Sequence, residues 1–321
     1  MVSVMGAGAR SEDALAALLL TTRLGEPEEE PLSPARFWSL VAAVPAPADL
    51  LAMSAGDIAR RTGFTKDDSL RLEHLLSGGT TLAFGLERSE RQGFVAVTPF
   101  DAGYPRRLRD RLGDQSPPVL FTVGARELLS SEGIGVVGSR AVRRDGAAVA
   151  REVAELAAGA GRTVISGGAN GVDREAMTAA HGAGGRVVGY LADSLVRRVR
   201  EPDTRRAIAD GTTCLATPFA PQTTFSSANA LGRNKLIYAS AAMTLVVACD
   251  LERGGTWEGA VQALRCGYGS VATWVGPGAG RGNERLLELG AIAVDDVAAV
   301  LQPPSPDPVT PLAPDQLRLG L

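Results

Sequence analysis

The spacing of apolar and polar residues changes near residue 93 and divides the chain into two regions. Before this point, apolar residues recur at helical spacing, and candidate helix-capping residues stand at Ser11, Ser33 and Ser54. A further periodic stretch covers Lys66–Leu76. This pattern predicts several short helices separated by polar turns, so we expect a small helical domain over residues 1–92.

The segment over residues 93–132 has shorter apolar runs and several turn signals. Strands are predicted over Gly93–Thr98 and Val119–Val123, and a short basic helix is predicted over Arg106–Arg111. Proline and glycine residues separate these elements. We assign the segment to the beginning of a second domain.

Between residues 133 and 301, apolar runs alternate with glycine-rich turns and amphipathic segments, which is typical of a parallel sheet with helices on both faces. The predicted strands are Ile134–Val137, Thr163–Ser166, Arg186–Leu191, Thr212–Ala216, Met243–Ala248 and Ser270–Val275. The predicted helices are Gly146–Ala160, Val172–Ala183, Thr204–Asp210, Leu231–Ala241 and Trp257–Cys266. We therefore predict an α/β fold with a doubly wound, mostly parallel Rossmann-like sheet in a domain over residues 93–301. The proline-rich residues 302–321 are predicted to form a flexible tail.

The charge of the chain is unevenly distributed. The formal net charge is −3, and 21% of the residues are charged, which excludes a disordered polyelectrolyte and a histone-like basic protein. Residues 1–132 carry 14 basic and 18 acidic side chains, whereas residues 133–301 carry 18 basic and 16 acidic ones. The basic side chains are arginines except for Lys66 and Lys235. A local basic site for an anionic ligand therefore remains compatible with the acidic total.

The cysteine and histidine content argues against metal and disulfide chemistry. Three widely spaced cysteines form no CxxC pair, and two histidines cannot build a multi-histidine site. The N-terminus has no signal-peptide pattern, and no apolar run is long enough to cross a bilayer. We expect a cytoplasmic protein without a membrane partner and without a cofactor.

The first two glycine-rich turns follow predicted strands, where ligands bind in doubly wound sheets. After the first strand, Gly138 permits close backbone approach, and Ser139 and Arg140 offer a hydroxyl and a guanidinium for a phosphate. The second turn has glycines that favour positive φ and free amides at a helix start, where anions bind. Its candidate phosphate-binding residues are Ser166, Gly167, Gly168, Asn170, Gly171 and Asp173. For Asp173, two roles stay open, helix capping and a hydrogen bond to a sugar or to the loop.

Two further segments carry candidate residues. Gly254, Gly255 and Thr256 precede a predicted helix, which Thr256 can cap while its hydroxyl faces the ligand edge. The adjacent Trp257 is either packed or stacked on a base. In the other segment, Arg233, Asn234 and Lys235 stand together near a helix start. A lysine in a chain that otherwise uses arginine indicates a site for a compact point charge, although a solvated surface lysine is the alternative.

These motifs, in this order, resemble the DNA-processing protein A family, also called DprA or Smf. The matching segments are Gly135–Arg140, Ser166–Asp173, Phe225–Ile237 and Gly254–Thr256. Upstream, residues 100–105 and 117–121 resemble the lead-in to the extended Rossmann domain of that family. Residues 1–92 loosely resemble its sterile-alpha-motif-like domain.

The resemblance implies a bacterial cytoplasmic protein that binds single-stranded DNA, forms a homodimer and loads the RecA recombinase during natural transformation. It implies binding rather than catalysis. Arg140 would match the DNA-contacting arginine after Gly-Ser, and Lys235 would match the basic position after Arg-Asn. A groove of amides and cations that follows a phosphate backbone binds with salt-dependent affinity.

The chain departs from the family pattern in three places. Met177 stands where the family often has histidine, and Gly254-Gly255-Thr256 replaces its common Ser-Gly-Ser. We also expect no winged-helix domain after the Rossmann-like one. The glycine loop is closer to a nucleotide phosphate loop, so the alternative is a nucleotide-binding enzyme or sensor. That alternative resembles the cytokinin-activating phosphoribohydrolases (the LOG family) or a defence or signalling protein, with Asp173, Glu175 and Glu258 as candidate acids.

Overall fold

The computed structural model describes residues 10–302 and divides them into two compact units. The first unit contains the described residues up to Arg109 together with Gly113–Thr122. The second unit contains Asp110–Leu112 and the residues from Val123 onward. The predicted domains, 1–92, 93–301 and 302–321, stay predictions, and residues 303–321 lie outside the described residues.

The first unit is mainly helical. Its helices are α1 (Glu12–Thr21), α2 (Pro34–Ala43), α3 (Ala55–Thr62), α4 (Lys66–Leu76) and α5 (Gly79–Arg91), followed by strand β1 (Val95–Val97). Helix α6 (Arg106–Leu112) and strand β2 (Leu120–Gly124) begin in this unit and end in the second one. Strand β1 pairs with β2 in antiparallel orientation, with Val95 opposite Thr122.

The capping predictions for the helical unit are confirmed. The hydroxyl oxygens of Ser11, Ser33 and Ser54 each accept a hydrogen bond from a backbone N–H of the first turn that follows. Such bonds satisfy amides that have no partner inside the helix. Thr65 caps α4 in the same way by accepting from the N–H of Asp68. Short-range sequence signals therefore define where four of these helices begin.

The second unit contains a parallel sheet with helices between its strands. Its strands are β3 (Gly133–Val137), β4 (Thr163–Ser166), β5 (Arg186–Tyr190), β6 (Thr213–Thr217), β7 (Met243–Val246), β8 (Ser270–Trp274) and β9 (Ile292–Val294). Its helices are α7 (Arg144–Gly159), α8 (Val172–Gly182), α9 (Leu195–Arg198), α10 (Pro202–Ala209), α11 (Ser227–Ser240), α12 (Gly254–Cys266) and α13 (Arg281–Glu288). Every strand and helix predicted over residues 133–301 is present, and α9, α13 and β9 were not predicted.

The strand order in this unit is β6-β5-β4-β3-β7-β8-β9, and the neighbouring strands pair in parallel. The chain therefore moves outward from β3 in one direction and then outward from β7 in the other. Because parallel crossovers are right-handed, this reversal places helices on both faces of the sheet. The predicted doubly wound fold is confirmed. The order reverses between β3 and β7, where such sheets open a crevice at their carboxyl ends.

The core beneath this crevice is made of small and branched side chains. Helices α7 and α8 pack against each other and against β3 and β4. Val136, Val153, Val172 and Leu245 are among the buried side chains of this cluster. A well-packed sheet therefore supports the loops that follow β3, β4 and β7.

Candidate functional site

A cavity of about 470 Å³ occupies the crevice at the carboxyl ends of β3 and β7, and we call it the first cavity. Helix α11 supplies another part of its wall, with Ala230, Arg233 and Asn234. The lining includes Gly138, Ser139 and Arg140 after β3 and Gly254, Gly255 and Thr256 after β7. The structure thus brings these three candidate motifs together at the predicted place, and Asp173 of the fourth motif also lines the cavity.

Hydrogen bonds join the loops that follow β3 and β7. The N–H of Ser139 donates to Ala248 O over 2.8 Å, and the Thr256 hydroxyl donates to Gly138 O over 3.0 Å. The prediction that Thr256 caps a helix is wrong, because α12 begins earlier, with Arg253 at its N-cap. The threonine hydroxyl instead fixes the Gly138 carbonyl and so shapes the cavity floor.

Arg140 stands at the mouth of the first cavity beside an exposed aromatic ring. Its guanidinium carbon lies 4.6 Å from the centroid of Phe225, which is 47% exposed. A cation over an aromatic face is attracted by the ring quadrupole. The exposed phenylalanine in the polar loop before α11 is a signal that sequence reasoning did not use. Together the two side chains offer a charge for a phosphate and a flat face for a base.

The turn after β4 has a more structural role than predicted. Ser166 is buried, and its hydroxyl donates to Val136 O over 2.7 Å, so it does not face the first cavity. Gly171 precedes α8 with φ of 81° and ψ of −134°, a conformation that glycine tolerates. A Cβ atom there would overlap the carbonyl oxygen of Ser139 and come within 2.6 Å of that of Arg140. Ser166 and Gly171 therefore support the loops, and their predicted contact with a ligand stays a prediction.

Asp173 and Arg233 form a buried pair of opposite charges under this turn. The two residues are 5% and 4% exposed, and both line the first cavity. Burial raises the pKa of the Asp173 carboxyl, although the positive charge of Arg233 opposes that rise. The carboxylate also accepts a hydrogen bond from Ala169 N over 3.3 Å. The loop role that the sequence left open for Asp173 is the one observed, with a buried arginine added.

The Arg233 guanidinium is incompletely hydrogen-bonded. Its Nε and Nη1 atoms are buried and have no hydrogen-bond partner among the described residues. It lies against Gly167, where a Cβ atom would overlap the guanidinium. A buried charged donor without a partner is costly unless a ligand satisfies it. The geometry therefore indicates an anion site at Arg233.

Asp173 makes the stability of the protein depend on pH. Because burial raises its pKa above the ordinary value of 3.8, the folded state binds a proton more strongly than the unfolded chain does. The contribution of Asp173 to stability is therefore highest below that value and falls as the pH rises through the folded-state pKa. We expect the unfolding free energy of Asp173→Asn, relative to wild type, to increase between about pH 4 and pH 7 in urea titrations. A difference that stays constant or decreases over this interval would contradict the assignment.

A second cavity, of about 180 Å³, lies beside the first. Arg140, Ala169, Phe225 and Arg233 line both cavities. The remaining walls are supplied by the β4 turn and by the segment after β5, namely Gly167, Gly168, Asn170, Ala192, Asp193, Arg197 and Arg198. Sequence reasoning missed Asp193, Arg197 and Arg198, although arginines after a predicted strand were a usable signal.

The three residues of the Arg-Asn-Lys motif lie in different environments. Asn234 donates from Nδ2 to Gly255 O over 2.8 Å and so joins α11 to the start of α12. Lys235 is half-buried, and it lines neither the first nor the second cavity. The prediction that Lys235 supplies the point charge of the site is not supported, because successive helical residues point in different directions. Arg233 takes that position instead.

The known proteins that resemble this chain agree with the fold and with the motifs. The sequence model of the family described as DNA recombination-mediator protein A matches residues 95–303. This chain belongs to the DNA recombination-mediator protein A family. The predicted relation to DprA and Smf proteins is thereby confirmed.

Individual members of this family show the extent of the similarity. Protein Smf of Synechocystis is 30% identical over 114 residues, which cover 34% of this chain and 28% of that protein. DNA processing protein A from Streptococcus pneumoniae has a similar fold, with a TM-score of 0.66, 23% identity, and coverage of 84% of this chain and 92% of its own. The Helicobacter pylori protein, described with a single-stranded DNA binding mode, gives a TM-score of 0.53 at 19% identity, covering 64% and 93%. The latter two likenesses concern the fold.

Among residues 10–302, no helix is both long enough and apolar enough to cross a membrane.

Proposed function

We propose that this protein binds single-stranded DNA at the carboxyl edge of its parallel sheet and acts in DNA processing. The observation that carries the proposal is the pairing of the exposed Arg140 guanidinium with the exposed Phe225 ring at the cavity mouth. Sites for single strands combine cations for the backbone with aromatic faces for the bases. The buried Arg233 adds a donor that an anion can satisfy.

The size of the first cavity suits a nucleotide of such a strand. A volume of about 470 Å³ falls in the range of pockets that hold small organic groups such as a nucleotide. Membership of the DNA recombination-mediator family supports DNA as the source of that nucleotide. The homodimer and the RecA partner, as well as a role in natural transformation, are further proposals that rest on this membership.

Removing the exposed guanidinium of Arg140 should weaken the binding of single-stranded DNA and reduce the salt dependence of that binding. For Arg140→Ala, we expect a loss of roughly tenfold in affinity for a labelled oligothymidylate, and a slope of log K against log salt that is smaller by about 0.7. Fluorescence anisotropy across a salt series measures both quantities. Arg265→Ala is the matched control, because Arg265 is exposed in the last turn of α12, away from the carboxyl edge. Equal binding by wild type and Arg140→Ala, or no binding by wild type at low salt, would refute the proposal.

A nucleotide-binding enzyme is the second candidate, and one observation favours it. The first cavity also holds Asp173, Asp250 and Glu258, so its acids match its arginines in number. A raised carboxyl pKa in a cleft is a feature of acid–base sites. Incubation with deoxynucleoside monophosphates, followed by chromatography for the released base, tests this candidate. Release of base by wild type and its loss in Glu258→Gln would favour the enzyme over the binding protein.

A further inference from the structure

The second cavity is much more basic than the first. Its lining includes four arginines, Arg140, Arg197, Arg198 and Arg233, against the single acid Asp193. The first cavity, in contrast, balances its arginines with acids. A small concave site lined by guanidinium groups attracts phosphate more strongly than any neutral ligand.

Two of these arginines already hold an anionic group. Asp193 Oδ2 lies 2.6 Å from Arg197 Nη2 and 3.9 Å from Arg198 Nη2. Arg198 is fixed by a second bond, because its Nη2 donates to Gly168 O over 2.8 Å. The Arg197 side chain is 72% exposed, so a ligand in solvent can reach it. The carboxylate therefore occupies the place between two guanidinium groups that suits a phosphate oxygen.

Arg233 provides an independent observation at the same place. It lines both cavities, and its buried Nε and Nη1 atoms have no hydrogen-bond partner in the described part of the chain. Arg140 and Phe225 also line both cavities. A strand of nucleotides that passes Arg140 and Phe225 would therefore contact the first cavity on one side of these residues and the second cavity on the other.

We propose that the second cavity is a phosphate subsite for the same single strand that the first cavity binds, with Arg197 as its phosphate ligand. Asp193 competes with the strand for Arg197 and Arg198, and the backbone phosphate displaces its carboxylate. This inference rests on the proposed DNA binding. It adds a subsite after β5 to the edge formed by the loops after β3, β4 and β7.

The competition predicts a gain of affinity, which partial unfolding cannot produce. For Asp193→Asn, we expect affinity for oligothymidylate at low salt to rise roughly threefold to tenfold, because Arg197 loses its internal anion. Arg198 keeps a second carboxylate, that of Glu201, 3.3 Å from its Nη1. The asparagine retains an acceptor for Arg197. Glu155→Gln is the control, since it changes the net charge equally at an exposed position of α7 that lines neither cavity. An equal gain in both variants, or no gain in Asp193→Asn, would overturn the inference.

Truncation of Arg197 should have the opposite effect and lower the affinity for the strand. For Arg197→Ala, we expect a loss of roughly threefold to tenfold in oligothymidylate affinity and a salt slope smaller by about 0.7. Arg200→Ala is the matched control, because Arg200 is exposed three residues away and lines neither cavity. Both variants leave buried side chains in place.

The length of the ligand separates a strand phosphate from a free one. Oligothymidylates from two to about twelve nucleotides, with thymidine monophosphate and inorganic phosphate as competitors, should show the Arg197→Ala defect only for ligands that reach both cavities. A defect of equal size for the monophosphate would indicate a site for free phosphate and overturn the strand subsite. If wild type binds no oligonucleotide, the proposed function itself fails. If Arg140→Ala weakens binding and Arg197→Ala does not, the inference alone fails.

Discussion

Arg233→Met should destabilise the protein by about 3–5 kcal/mol, the typical cost of removing one member of a buried charge pair. The substitution keeps an unbranched side chain up to about the position of Nε but leaves Asp173, which is 5% exposed, without its cationic neighbour. The remaining loop amides of Ala169, Gly167 and Gly138 are uncharged and cannot neutralise that charge. Urea denaturation followed by circular dichroism measures the loss. The loss should be smaller at acidic pH, where Asp173 can be protonated.

A double variant distinguishes the cost of the unpaired charge from the loss of packing. Asp173→Asn combined with Arg233→Met removes both charges, so it should recover part of the stability that Arg233→Met loses. Its affinity for oligothymidylate should stay reduced, because the anion donor is still missing. If the unfolding free energy of the single variant Arg233→Met lies within about 1 kcal/mol of that of wild type, the pair of Asp173 and Arg233 does not hold the turn after β4.

Gly171→Ala should destabilise the protein by about 2–4 kcal/mol and weaken DNA binding at the same time. The backbone at this residue has φ of 81° and ψ of −134°, which a side chain disfavours. The added Cβ would also meet the carbonyl oxygens of Ser139 and Arg140. The turn before α8 must therefore move, and the loop that carries Arg140 must move with it. Denaturation and anisotropy measurements on the same sample test both effects.

Gly182→Ala is the matched control for this substitution. Gly182 ends the same helix, α8, and a Cβ atom there meets no atom within 4 Å. Alanine is preferred to glycine in a helix by about 0.5–1 kcal/mol, so this variant should be as stable as wild type or slightly more stable. Equal stability of Gly171→Ala and Gly182→Ala would contradict the role given to Gly171.

Much of the fold follows from signals that act over a few residues. Ser11, Ser33 and Ser54 cap helices where the sequence predicts them, because a hydroxyl bonds to an amide only three residues away. Strand β4 and helix α4 match their predicted limits, Thr163–Ser166 and Lys66–Leu76. The alternation of strands and helices was sufficient to predict a doubly wound sheet, since each crossover has one preferred hand.

Helix α5 shows where local signals fail. Its sequence contains glycine and threonine residues that weaken helical propensity, and the sequence did not define it as a separate helix. The structure explains Gly85, because a Cβ atom there would overlap the carbonyl oxygen of Leu24. A close contact between segments that are distant in the sequence therefore requires glycine at this position. No local sequence pattern contains that contact.

The sequence alone determined the fold class, the family and the sheet edge that carries the site, because these depend on periodicity, short motifs and strand order. Tertiary structure decided which motif residues reach the cavities. It placed Arg233 there instead of Lys235, buried Ser166, and added Phe225, which the sequence had not singled out as a site residue, and Arg197 from a segment without a recognised motif. The reason is physical: side-chain direction, burial and charge pairing depend on residues far apart in the chain that meet only after folding.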